Sequence, residues 1–236
     1  MCAIYDSNMR ISSTEPGLSL RRRLTLGFTI IEILVAALLL TLLLSLIFAF
    51  LVPTMKAAAL GSARAEMQQE ALRSLDAMGC DLMSSASSGI SLCAPAADPE
   101  KGPLYIGILR VVNVDPQGNN IWERSLTVYC WKGAGSPLIR KVWSPASPPS
   151  LAVILSPDTP SRFEESDLSK IADEPGLNGQ VLARDVSALL VTSSGMGASV
   201  CSPVELGITI TRKAATGRSS PERFHLTRSV CLRYRL

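Results

Sequence analysis

One stretch constrains this chain more than any other: from Phe28 to Val52 every residue except Thr29, Glu32, Thr41 and Ser45 is apolar. As a helix it rises about 1.5 Å per residue, roughly 37 Å in all, which exceeds the hydrocarbon thickness of a bilayer. A run of this kind excludes a purely soluble cytosolic protein, and a single run excludes a protein that lines its own pore. The rest of the 236 residues has an ordinary globular composition. With 23 basic against 20 acidic residues, the overall charge points to no class of partner. Arg21, Arg22 and Arg23 precede the run, while only Lys56 and Arg64 follow it closely. The positive-inside rule then puts the N-terminus in the cytoplasm and everything beyond Pro53 outside.

Glu32 is the only charge in the apolar run. Inserting a charged side chain at mid-helix costs about 2.5 to 3.5 kcal/mol, less near the end, so this carboxylate needs a cationic partner. The run is also preceded, not followed, by its notable small residue, unlike a secretory signal with its short apolar core and later cleavage site. The junction reads Gly27-Phe28-Thr29-Ile30-Ile31-Glu32 directly after the arginines.

These residues resemble the junction of the type IV prepilin family, which includes pilus pilins and the pseudopilins of type II secretion. The resemblance implies cleavage by a prepilin peptidase between Gly27 and Phe28, N-methylation of Phe28, and a role for Glu32 in bringing each subunit into a filament. Its cation would be the Phe28 amine of the same chain or of a neighbour. The leader, residues 1–27, contains Asp6 and Glu15 and is longer than many in the family, and Met9 is an alternative start. If Gly27 is the cut, 236 minus 27 leaves 209 residues, and most of the net +3 charge departs with the leader's arginines.

Beyond Pro53, a helix breaker expected to kink or loosen the helix, Met67, Ala71, Leu75, Met78 and Leu82 step by four, four, three and four along one stripe. Glu66, Gln68, Gln69, Arg73, Asp76 and Asp81 are read onto the other sides. The Ser-rich segment 84–91 ends this helix. The period then falls to two, and strands are expected at 104–114, 121–132, 138–143, 151–155, 181–192, 204–212 and 224–235. Turns at 115–120 and 133–137 suit antiparallel hairpins. The Pro- and acid-rich stretch 145–179 reads as a surface loop region. The expected fold is α+β and pilin-like: a long N-terminal helix, transmembrane in its first half and amphipathic in its second, packed on an antiparallel sheet. Its divisions are a leader (1–27), a transmembrane and polymerisation helix (28–52), an amphipathic continuation (53–92) and a periplasmic sheet domain (93–236).

Two further stretches are similar to part of that family. Leu126 to Pro145, LTVYCWKGAGSPLIRKVWSP, looks like the hairpin of J-type minor pseudopilins, with a Tyr-bearing strand, a Gly turn and a Leu-x-Arg strand ending in Trp and Pro. Val181 to Leu189 resembles the segment that follows it in J-type pseudopilins and W-type minor pilins. The J-type resemblance implies a tip-located structural subunit of a type II secretion pseudopilus with I-type and K-type partners. The alternatives are a minor type IV pilin for pilus assembly, adhesion or DNA uptake, and, from another class, a signal-anchored periplasmic binding domain or enzyme.

The search for chemistry finds little. After removal of Cys2 five cysteines remain, an odd number in an oxidising compartment. Strand parity places Cys201 and Cys231 outward on neighbouring strands, making them one candidate disulfide; Cys80 and Cys93, flanking the helix end, are the other. Cys130 is expected as a buried free thiol. There is no Cys-x-x-Cys pair, one histidine (His225), and no Walker loop, nucleophile elbow or dinucleotide fingerprint. The acids Asp158, Glu164, Glu165, Asp167, Asp173 and Glu174 could hold Ca²⁺, but Arg162 and Lys170 are interspersed and no EF-hand spacing is present, so a solvated loop is preferred. Basic residues from Arg212 to Arg235 have only Phe224 and Tyr234 as aromatics among them, so a solvated or subunit-facing edge is preferred to nucleic acid. The expected protein is therefore no enzyme, binds no metal or cofactor, and has prepilin peptidase, other pilins and inner-membrane lipid as partners.

Overall fold

A computed structural model describes residues 29–94, 102–149, 151, 155–193, 202–212 and 221–233. The chain divides into two compact units, Met1–Leu51 and Val52–Leu236, and helix α1 (Ile30–Met83) contributes to both.

In the first unit α1 is apolar all round and buries nothing. Its most apolar window has a mean hydropathy of 3.0 and is long enough to cross a membrane, and Ile30 (81% exposed) and Phe50 (67%) are typical of it. Thr29 opens the helix: the Glu32 amide donates to its hydroxyl (3.3 Å) and carbonyl (3.0 Å), and the Ile33 amide to the same carbonyl (3.2 Å). These bonds satisfy amides that a helix start leaves unpaired. The Thr41 hydroxyl is answered within the helix by the Leu38 carbonyl at 2.8 Å, as an apolar surrounding demands. The helix is continuous through Pro53.

In the second unit the expected stripe is the one that packs. Met67, Ala71, Leu75, Met78 and Leu82 are all 2% exposed or less, each large side chain contributing about 1.5 to 3 kcal/mol of burial. They rest on one face of a seven-stranded antiparallel meander: β1 (Ile90–Cys93), β2 (Leu104–Val114), β3 (Asn120–Trp131), β4 (Ser136–Trp143), β5 (Gly179–Ser193), β6 (Val204–Arg212) and β7 (Glu222–Val230), in that order across the sheet. Ile106, Tyr129, Leu138, Leu182, Ile208 and Val230 meet the helix from below. The architecture is α+β and pilin-like.

Several boundaries differ from expectation. The stretch 145–179 contains a helix, α2 (Glu165–Asp173), whose Leu168, Ile171 and Ala172 are buried on the sheet face opposite α1, with Tyr105, Val128, Cys130, Trp143 and Phe163. It forms there because that face of β2–β4 is also apolar and would otherwise meet water. No strand covers Leu151 or Leu155, and 152–154 lie outside the described residues. β1 straddles the expected 92/93 division, following a 3₁₀ turn at Ser87–Gly89. Gly89 fits there because a Cβ would lie 2.2 Å from Cζ3 of Trp122.

Candidate functional site

Gly27 and Phe28, the expected cleavage and methylation positions, lie outside the described residues. Glu32 lies in the first turn of α1 among exposed apolar neighbours, Ile30, Ile31, Ile33 and Leu34. Two surfaces therefore define what the chain can do: the uncovered apolar first half of α1 with its single carboxylate, and the interface that fixes the second half of α1 to the sheet.

That interface carries a charged cluster that sequence reading missed. Asp81, read onto the polar side of the helix, is 3% exposed and faces the sheet. Its Oδ2 accepts from Tyr129 Oη (2.6 Å, β3) and from Arg140 Nε (2.9 Å, β4), and its Oδ1 accepts from Arg110 Nη2 (β2). Burial pushes the carboxyl upward, but the bonds from Arg140, Tyr129 and Arg110 outweigh it and hold the group below the usual carboxylate range. Burial, then Asp81's hydrogen bond and charge, push the Tyr129 phenol well up, so it stays a donor. Arg110 keeps its Nε buried and without a hydrogen-bond partner. One helix residue thus locks three adjacent strands.

Further ion pairs lace α1 to β6 and β7. Arg212 on β6 bonds Glu70 through Nη2 (2.8 Å to each oxygen) and Asp185 through Nε (3.0 Å). Those bonds raise its pKa, the Glu70 bond foremost. Asp185 has φ 54, and β5 slips register against β6 immediately after it. Arg64 pairs with Glu222 at 2.6 Å, and Arg228 with Asp76. On the opposite face Lys141 is buried and donates to the carbonyls of Ala172 and Glu174, both at 2.7 Å, closing the end of α2.

The remaining expectations are placed as follows. Cys80 and Cys93 are both free, correcting the first candidate bridge. Cys80 is exposed on α1, whereas Cys93, one residue past the helix-facing Leu92, turns to the other sheet face and packs near Phe163, so the sheet separates them. Cys231 is exposed and free, and Cys201, its expected partner, lies outside the described residues. Cys130 is buried and free, as expected. His225 is exposed, with Nδ1 3.0 Å from the Thr209 hydroxyl. Among the described residues no group of three or more His, Cys, Asp or Glu gathers as metal ligands. Asp173 is paired with Lys132 (2.6 Å) and Asp167 with Lys170 (3.8 Å), so these two acids of α2 face lysines.

Fold and surfaces together define a class: a chain with one helix long and apolar enough to span a membrane, which continues into the backing helix of an antiparallel sheet domain. No family model, no curated protein and no solved structure matches the chain.

Proposed function

We propose that this chain is a non-enzymatic filament subunit, a minor pseudopilin of a type II secretion system placed at the pseudopilus tip. In this reading prepilin peptidase cuts between Gly27 and Phe28 and methylates Phe28. The mature chain waits in the inner membrane as a single span, with its N-terminal end cytoplasmic and the sheet domain periplasmic, and is then drawn into an assembly with I-type and K-type subunits. The observation that supports this best is Glu32, the one carboxylate in the first half of α1, which is apolar on every side and uncovered. Such a helix needs lipid or other helices around it, and such a carboxylate needs a cation, which a neighbouring subunit's new amino terminus supplies.

Two measurements test this. N-terminal sequencing of the membrane form should begin at Phe28; an intact Met1 or Met9 terminus refutes the reading. Glu32→Ala should leave cleavage intact while lowering incorporation into filaments by about tenfold, the factor that corresponds to about 1.4 kcal/mol of lost pairing. Normal incorporation refutes the pairing role.

A further inference from the structure

We propose that β7 is an acceptor edge to which an extended segment of a different protein adds as an eighth strand, with apolar residues at alternate positions and acidic residues between them. The two edges of the sheet are built differently. β1 is four residues long, and past its end β2 is capped by the chain leaving α1: the Val111 amide donates to the Ser84 carbonyl (2.8 Å) and the Ser85 hydroxyl to the Leu109 carbonyl (2.6 Å). β7 is nine residues long and pairs with β6 at every position from Glu222↔Arg212 to Val230↔Val204, without a bulge or a proline. Among the described residues no other strand pairs with its outer side. Short strands, bulges, prolines and covering loops are the usual protections of an edge, and a long regular edge without them is a template for another strand.

Side chains say what such a strand would carry. Two core rows run across the sheet to this edge, Val186–Ile210–Phe224 and Leu189–Ile208–Leu226. Val186, Leu189, Ile208 and Ile210 are at most 1% exposed, whereas Phe224 and Leu226 are only half-buried, so each row stops one strand short of full cover. On the other face Arg223, His225, Thr227 and Ser229 are exposed, a row that suits carboxylates and hydroxyls.

A second copy fits poorly. Arg64 meets Glu222, Asp76 meets Arg228 and Gly79 lies against Val230, so α1 and β7 run in the same direction. Antiparallel pairing of two β7 strands would run the two helix segments Arg64–Gly79 in opposite directions and bring no carboxylate to the exposed row, because β7 itself supplies only Arg223, His225, Thr227 and Ser229 there. Parallel pairing turns one sheet over and sets Phe224 and Leu226 of one copy beside Arg223 and His225 of the other.

The test uses the full chain in detergent micelles and a fluorescent nine-residue peptide of alternating Glu and Val, with empty micelles as the blank. Saturable binding is expected. N-methylating every second peptide amide should abolish it in one parity and leave it nearly unchanged in the other, since only one edge of an added strand faces β7. Arg223→Glu, at an exposed position, should weaken the Glu–Val peptide by about tenfold and strengthen a Lys–Val one. Absence of binding overturns the proposal, as does equal loss in both methylation parities or equal binding by a peptide of the same composition with its valines in one block. An unchanged affinity in Arg223→Glu overturns the acidic character of the partner. None of these readouts depends on filament assembly, so the edge and the assembly role stand or fall separately.

Discussion

Asp81→Asn removes the charge on which three strands converge. Breaking a buried ion pair by deleting one member costs about 3 to 5 kcal/mol, because the other charge is left in a dry site. Here the cost falls at or below the lower end of that range. Arg110 is 40% exposed along its side chain and can turn toward water, Arg140 is 21% exposed and less able to, and the amide oxygen still serves one donor. About 2 to 3 kcal/mol is therefore expected. Tyr129→Phe removes one bond to a charged acceptor that two arginines still hold, at about 1.5 kcal/mol. In the Asp81→Asn background the same change should cost about 1 kcal/mol less, since the charge that strengthened that bond is gone. Urea unfolding of the full chain in micelles, followed by tryptophan fluorescence, reads these differences: Trp122, Trp131 and Trp143 are all buried and report loss of the sheet. There is also a pH signature. A carboxyl held below its unfolded value stabilises fully above the unfolded pKa of about 4, and that share is lost as pH falls through the folded value. The gap between wild type and Asp81→Asn should thus narrow in acid. A cost below about 1 kcal/mol, an additive double variant, or a gap that persists at the lowest pH refutes this account.

Gly89→Ala should cost about 1 to 3 kcal/mol, because the new Cβ would stand 2.2 Å from Cζ3 and 2.8 Å from Cη2 of the buried Trp122; an unchanged urea midpoint refutes it. Maleimide labelling of the native chain, mapped by mass spectrometry, should modify the exposed Cys80 and Cys231 first. Cys93, whose thiol is pushed up by burial and then by Glu165 and Glu164, should react slowly, and Cys130, pushed up mainly by burial, only after denaturation. Lys141→Met leaves the carbonyls of Ala172 and Glu174 without their donor, a loss of about 1 to 3 kcal/mol. Hydrogen exchange in α2 should accelerate while β5–β7 stay protected; uniform acceleration across the sheet counts against a local role.

Periodicity was legible where one physical demand governs a segment. β2 and β6 have the bounds expected of them, Leu104–Val114 and Val204–Arg212: β6 packs one face under α1, so a slip in register would turn its apolar residues outward, and β2 is apolar on both faces because two cores cover it. The helical stripe was legible for the same reason. α2 was not: nine residues bearing three acids, a lysine and two serines read as loop, and only Leu168, Ile171 and Ala172, spaced three and four apart, carried a helical signal. Its formation depends on an apolar sheet face assembled from β2, β3 and β4, which no local window contains. The bridge between Cys80 and Cys93 failed on a related point, since proximity in sequence says nothing about which side of a sheet a strand residue takes.

Asp81 is the residue whose placement could have been deduced. It follows Met78 by three and Ser74 by seven, and both of those are buried, so a helical wheel sets it inside the packed arc and not outside it. A carboxylate there requires cations from whatever lies beneath, 29 residues away for Arg110 and 59 for Arg140. That requirement supplies a physical reason for the Leu138-Ile139-Arg140 strand. Leu138 is fully buried under the helix, the chain alternates, and Arg140 two residues on emerges on the same face to meet the acid. The pattern that resembled a family hairpin is thus half of an ion pair whose other half is carried by the helix. Changing Arg140 alone would leave Asp81 buried with fewer partners than its burial demands.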